Sequence, residues 1–444
     1  MKILLKYVIS FLILVVFLNG AFYIISSFDS ELIRNNCIES VEIMQSEDKL
    51  SNKGFFSLVD NIEDAIVINE AYSIDKDEPI KSYLLTRKNY DKDLTKIELG
   101  DESGQLKTYS NNTIIDGNAV PDENYDTIKE LKNFLNGEVN ISQSYTRYYH
   151  GYLVLFRPLL LVFNVRQIRF FMVIVYLILV CVVAKFLYKK IDLKTCIIII
   201  SILLTFGYFG IAQSLQACAL FLVIMISLII LLLIIEKINI ENFLLFLFIL
   251  GAIVNFADYF TSPAISLLLP LVIICVYNNK NNNKLHFKGK NVKEDFLIIV
   301  KAGLIWSTGY ILMWMSKMLL AKAFINSKEF SSAFDQVLFR MFGSIDLSLD
   351  RVYSVLYYGI TVCLVAYVFT WIVLKVTRRC CFNKIDKKII ISNCNCIFSS
   401  IIPIAWMFLF FNHTMNHFIL YPYRNLMGII MVYLLLKTSE KENI

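Results

Sequence analysis

Charge is what this chain has least of. Only 18% of its 444 residues are Asp, Glu, Lys or Arg, while 57% are hydrophobic and the mean hydropathy is +0.59. Soluble globular domains carry roughly 25% charged residues, so that class is excluded and a membrane protein is implied. Cysteine is scarce where it would matter. Of ten cysteines, only Cys37 lies in the large polar segment after the first apolar run, so no disulfide framework forms there within one chain. Cys394-Asn395-Cys396 is too close-spaced and too deep in an apolar run for a zinc site. A small-residue cleavage site is also missing: Asn19-Gly20-Ala21-Phe22 is a poor candidate, so residues 1–26 are expected to stay as an uncleaved anchor. No internal repeat is evident, which argues against many transporter architectures.

Apolar runs, by contrast, recur along the whole chain. They fall at 4–25, 168–187, 195–211, 215–235, 243–256, 262–277, 296–320, 353–376, 389–411 and 418–436. A bilayer-spanning helix needs about 20 such residues, which predicts an all-α polytopic membrane protein with about ten transmembrane helices. Residues 168–437 form the multi-span domain. Lys2 and Lys6, the loops carrying Lys185, Lys189 and Lys190, 280–293 and 375–388, and Lys437 all fall on one side in this scheme. The positive-inside rule makes that side cytoplasmic, together with both termini and the 438–444 tail. Residues 27–150 are then a mainly helical extracytoplasmic loop domain after the first helix. Its 27–143 stretch holds 24 acidic and 12 basic residues although the chain is +6 overall. The surplus positive charge therefore faces membrane lipids, and nucleic acid is not needed to explain it.

Within 27–150, Asp29 is placed to cap a helix running through Leu32, Cys37, Val41 and Met44. Residues 55–67 have near-helical period, setting Asp60 and Asp64 one turn apart with Glu63 beside them. Such a repelling pair calls for a cation or a proton nearby; its plain alternative is a solvated acidic face. Residues 151–167 are too short to span and read as an interfacial segment, broken by Arg157-Pro158.

Three of the four histidines stand in polar motifs at one boundary of the apolar runs: Arg147-Tyr148-Tyr149-His150-Gly151 and Asn412-His413-Thr414-Met415-Asn416-His417. Asp258 breaks a third pair of runs, where a helix cap would equally explain it. Lys317 lies near the outer end of a span, where snorkelling accounts for it. Arg424 falls inside the last span, costly unless it pairs or faces a polar cavity. His413 and His417 have metal-compatible i, i+4 spacing, but no Glu adjoins them. No cofactor is expected, and a divalent metal is not favoured. Arg147, His150 and Arg157 instead suit a lipid-linked phosphate.

Taken in order, Asp60-Asn61 with Asp64, Arg147 to Gly151, Asp258 to Pro263, Gly309-Tyr310 through Met313-Trp314 to Lys317, and Asn412 to Arg424 resemble a group of largely uncharacterised bacterial polytopic membrane proteins. The likeness covers most of the chain. That group looks like relatives of the GT-C glycosyltransferases, which take sugars from polyprenyl-phosphate carriers at the outer membrane face. This chain has Glu63 where a hydroxyl is common, Tyr149 in place of Trp and Pro422 in place of Thr. GT-C enzymes place a catalytic carboxylate soon after the first helix, a position held here by Asp29 or Glu31. The resemblance implies an inverting transfer of sugar to a cell-envelope glycan or lipid acceptor. Asp60 or Asp64 would be the base; Arg147, His150 and Arg424 would hold the departing phosphate; Asp258 or His413 would orient the sugar. The alternative is a transporter, flippase or accessory protein for lipid-linked glycans, using the same cations without chemistry.

Overall fold

The computed structural model describes residues 2–47, 50–52, 58–86, 112–115, 118–121, 126–139, 145–258, 260–325, 328–343, 349–379, 382–418 and 420–438. Helix dominates. Helix α1 (Lys2–Ser26) leads into a 3-10 turn (Ser30–Ile33), α2 (Arg34–Ser46), α3 (Asn61–Tyr72), α4 (Pro79–Leu85), α5 (Thr127–Leu135) and α6 (Leu153–Leu160). The long apolar part then comprises α7 (Val165–Lys190), α8 (Leu193–Thr205), α9 (Tyr208–Ile211), α10 (Leu215–Ile234), α11 (Ile240–Ala257), α12 (Ile265–Lys280) and α13 (Val292–Phe324). It ends in α14 (Lys328–Phe342), α15 (Leu349–Val376), α16 (Lys387–Ser392), α17 (Cys394–Leu409), α18 (Phe411–His417) and α19 (Met427–Thr438). Two antiparallel hairpins, β1 (Leu50–Asn52) with β2 (Leu58–Asp60) and β3 (Asn112–Ile115) with β4 (Asn118–Pro121), are the strands among the described residues.

Among the described residues, six helices are long and apolar enough to cross a membrane: α1, α7, α10, α11, α13 and 351–376 of α15. A seventh is α17 with α18, if that pair, bent by 90°, counts as one span. Large apolar side chains stand exposed along these helices, such as Val16 (72%), Phe170 (68%) and Leu304 (64%). In water such faces would drive association, whereas in lipid they are the solvated surface. This is a membrane protein. The other apolar runs form shorter helices, α8, α12 and α19.

Asx and Ser caps set the helix starts. Asn164 and Gln167 form a capping box at α7, and Asp192, Ser214, Asn239 and Asn291 each accept a backbone N–H at the next helices. The same chemistry shifts one expected boundary. Residues 55–60 are not helical where described; Asp60 is the N-cap of α3, its Oδ1 accepting from the Glu63 N–H at 3.2 Å. Asp29 caps the 3-10 turn by accepting from the Glu31 N–H, and α2 buries Cys37, Val41 and Met44 as its period predicts. Helix α6 buries Leu153, Phe156 and Leu160 and packs against α1, α3 and α7. Helices α2 to α6 thus form a layer packed on one end of the apolar helices. The 439–444 tail and most of 87–125 lie outside the described residues.

Helices α11 and α13 pack closely against each other, and two glycines allow it. A Cβ on Gly251 would lie 2.1 Å from the Trp306 carbonyl oxygen, and one on Gly309 would lie 2.0 Å from that of Phe248. Small residues let backbones approach this closely in lipid. Gly251→Ala and Gly309→Ala should each lower stability by about 1–3 kcal/mol, seen as a lower melting temperature in detergent. Gly303→Ala, whose Cβ would meet nothing within 4 Å, is the control expected to leave it unchanged or slightly raised.

Candidate functional site

Three of the polar motifs converge on one cavity of 360 Å³, lined among others by Arg147, Asn255, Phe260, Tyr310, Trp314 and Arg340, and a fourth adjoins it through His413. Residues 145–151 form an irregular strap that the surrounding helices pin in place. Trp314 Nε1 donates to the Arg147 carbonyl at 3.1 Å, and the Tyr149 hydroxyl contacts Ser316 Oγ at 2.9 Å. His150 sits in the left-handed region at φ 56°, and the Gly151 N–H donates to the Phe256 carbonyl at 2.8 Å. A Cβ at Gly151 would lie 2.4 Å from that carbonyl oxygen, so the strap needs glycine to reach α11.

Two guanidiniums share this chamber. Arg147 lies 4.4 Å over the Tyr145 ring, and Arg340 lies 5.0 Å from the Tyr148 ring and 4.8 Å from Phe260. Neither makes a side-chain hydrogen bond or ion pair among the described residues. Burial, and then Arg147, push the Arg340 pKa down; Tyr145 and Glu63 oppose this. The histidine pair adjoins Arg340: His413 Nε2 contacts the Phe260 carbonyl at 2.9 Å, and the His413 and His417 rings are 4.7 Å apart. Arg351, at the start of α15, acts on His417 as well. Asp258 lies close enough to Tyr310, which lines the cavity, to act on it electrostatically. Its Oδ1 accepts from the Thr261 N–H and hydroxyl, Oδ2 has no partner among the described residues, and burial pushes its pKa up to about 7.

The carboxylates of α3 have separate fates. Asp64 is fully committed: Arg169 donates to Oδ2 from Nη2 at 2.6 Å and Nε at 3.0 Å, and the Leu215 N–H donates to Oδ1 at 2.8 Å. Asp60 caps α3, and its pKa is pushed up to about 6, first by burial and against the backbone N–H of Glu63; Asp64 raises it further. Glu63, half-exposed, acts electrostatically on Tyr145 and Arg340 on one side and on Tyr421 on the other. Tyr421 also feels Asp60, so α3 joins the cavity rim to the turn before α19.

The remaining candidates hold the fold together. His150 Nε2 contacts the Tyr145 carbonyl at 2.7 Å and Nδ1 the Tyr152 hydroxyl at 2.7 Å, and Tyr152 donates to Glu70 at 2.6 Å. Arg157 donates to the Phe28 carbonyl and Ser30 Oγ, and Lys317 to the Tyr83 carbonyl at 3.0 Å. Arg424 donates to the carbonyls of Phe206 and Leu420, with its guanidinium 4.6 Å from the Tyr423 ring. No three His, Cys, Asp or Glu side chains gather as metal ligands among the described residues.

Sequence reasoning missed Arg340 and passed over Glu63. Arg340 belongs to α14, between the apolar runs 296–320 and 353–376, where Phe330, Ala333, Phe334 and Val337 carry helical spacing. Glu63 stands at the third position of α3, where a carboxylate after an Asp cap is an ordinary N-terminal feature.

No family model matches the chain, and neither curated proteins nor solved structures give a match.

Arg169→Ala would strip the partner from buried Asp64 and from Glu47, which Arg169 also reaches at 3.2 Å. A loss of roughly 3–5 kcal/mol is expected in thermal unfolding; a change of surface-substitution size would refute this hub. Asp60 gives a pH signature. Folded Asp60 holds its proton to about pH 6, an unfolded aspartate only to about 3.9. The proton's contribution is therefore full below about 3.9 and is lost as pH rises through 6. Asp60→Asn keeps the cap and should flatten that decline in melting temperature between pH 4 and 6.

Proposed function

We propose that the protein is a membrane glycosyltransferase of GT-C type, moving a sugar from a polyprenyl-phosphate carrier to a cell-envelope glycan or lipid acceptor. In this reading the ten apolar runs cross or enter the bilayer, the α2–α6 layer lies outside, and the lysine-rich end faces the cytoplasm. The observation that carries it is the meeting of Arg147 and Arg340, neither ion-paired among the described residues, at an aromatic cavity where Glu63 of α3 acts electrostatically on Arg340.

Such a pair of cations suits a phosphate whose charge grows as the sugar–phosphate bond breaks. His413 and Asp258 sit where sugar hydroxyls would be oriented. Asp60 is the preferred base: it titrates near pH 6, whereas both oxygens of Asp64 are occupied. As the acceptor oxygen attacks the anomeric carbon, Asp60 takes its proton and the polyprenyl phosphate leaves with the bonding electrons. A groove of 920 Å³ along α15, α17 and α19 has an apolar lining that suits an isoprenoid chain. Arg351 lies one turn before Val355, which lines that groove, so positive charge stands at one end of it.

The test is transfer of radiolabelled sugar from polyprenyl phosphate by purified protein in lipid. Asp60→Asn should reduce the rate by about 10²–10⁴-fold, and the wild-type rate should rise with pH through about 6. Arg147→Ala and Arg340→Ala should each slow transfer severalfold or more. Full activity in Asp60→Asn removes it as the base. Carrier translocation across vesicles without glycan product would favour the flippase.

A further inference from the structure

At the far end of the helices from the strap, a cleft of 540 Å³ opens between α8, α12, α16, α17 and α19. Its floor is apolar, with Val276, Cys396, Val432 and Leu435, and four lysines stand around it: Lys194, Lys280, Lys288 and Lys388. Two of the four are committed. Lys194 donates to the Thr438 carbonyl, and Lys280 pairs with Asp192. The ammonium groups of Lys288 and Lys388 have no hydrogen-bond or ion-pair partner among the described residues, the Lys288 backbone being held by the Asn283 side chain. A second cavity of 480 Å³ shares Lys288, Lys388 and Ser392 with the first and adds Lys290 and Lys387.

The acids at this rim make no ion pair with Lys288 or Lys388 among the described residues, although Lys288 acts on Asp295 electrostatically. Asp386 turns its Oδ1 to the Ile389 N–H at 2.9 Å, and Asp295 turns its Oδ1 to the Gly289 N–H at 2.8 Å. The cleft is also braced, since Asn279 Nδ2 donates to the side-chain oxygens of Asn393 and Asn395 at 3.2 Å each. Ile391, exposed at 47%, lines the second cavity beside Lys387 and Lys388. Uncommitted cations above an apolar floor, beside exposed isoleucine, define the two-part chemistry of an amphiphile. A soluble anion would use only half of it.

We propose that this cleft binds the phosphate of an anionic phospholipid, with Lys288 and Lys388 holding the headgroup and acyl chain resting on the apolar floor. The site is independent of the carrier cavity at the opposite end.

Native mass spectrometry and thermal melting of the full chain in a zwitterionic detergent test this, with phosphatidylglycerol, phosphatidylcholine and inorganic phosphate as separate probes. Phosphatidylglycerol should be retained and should raise the melting temperature, while phosphatidylcholine and inorganic phosphate should not. The double variant Lys288→Ala/Lys388→Ala should bind phosphatidylglycerol about tenfold or more weakly. Lys185→Ala/Lys189→Ala, at the same end but outside the cleft, should bind as the wild type does. Equal affinity in the Lys288/Lys388 variant overturns the proposal. So does an equal loss in the Lys185/Lys189 variant, which would mean general surface charge. Equal stabilisation by inorganic phosphate overturns the lipid assignment in favour of a soluble anion.

Discussion

The bond between Arg169 and Asp64 fixes where everything else at the site stands. Taking a carboxylate and a guanidinium out of water costs several kcal/mol for each ion. That cost is offset here because the Arg169 guanidinium reaches Asp64, Asn61 and Glu47, while the second Asp64 oxygen receives the first N–H of α10. An anion at a helix N-terminus is favoured in its own right. One ion pair thereby ties α3 of the capping layer to α7 and α10 of the membrane helices. Glu63 and Asp60 lie one and four residues before Asp64, so this bond also sets where they face. The compensation expected for two neighbouring aspartates is supplied mainly to Asp64 by Arg169, while burial pushes the Asp60 pKa up to about 6.

How far this was legible in the sequence depends on the range of the forces involved. Apolar runs fix which segments meet lipid, and α1, α7, α10, α11, α13 and α15 follow from them with boundaries set by local caps. Local caps also decide Asp60. An aspartate read as part of a helical face is an N-cap, because its oxygen satisfies a backbone N–H two or three residues on. The shorter apolar runs show the limit of length counting. Cys394 to His417 carries enough apolar residues for one span, yet it turns by 90° between α17 and α18. That turn is what carries His413 and His417 towards Arg340.

Long-range partners were the illegible part. The candidate cations were chosen for standing near an apolar boundary, and nothing local separates those that bind a backbone carbonyl from those that bind nothing. Arg157, Lys317 and Arg424 each end on carbonyls supplied by residues that apolar pattern alone cannot bring near: Phe28, Tyr83 and Phe206. His150 is used in the same way, closing the strap against Tyr145 and Tyr152. These four serve as helix caps do, satisfying polar groups buried in the protein.

That division of labour among cations is the most useful guide to function in this fold. A buried cation that satisfies a carbonyl has done its work once the chain is folded, and removing it leaves an orphaned acceptor. A cation held only by aromatic faces is different. Cation–π contact contributes about 0.5–2 kcal/mol, which is less than the cost of withdrawing the group from water. Arg147 and Arg340 are both half-buried, share the rings of Tyr145, Tyr148 and Phe260, and repel each other. An anion entering between them would relieve the repulsion and recover the lost hydration in one step. Among the cations of this site, the two without an ion pair among the described residues thus stand at the cavity rim, where Glu63 of the helix end that Arg169 holds also acts.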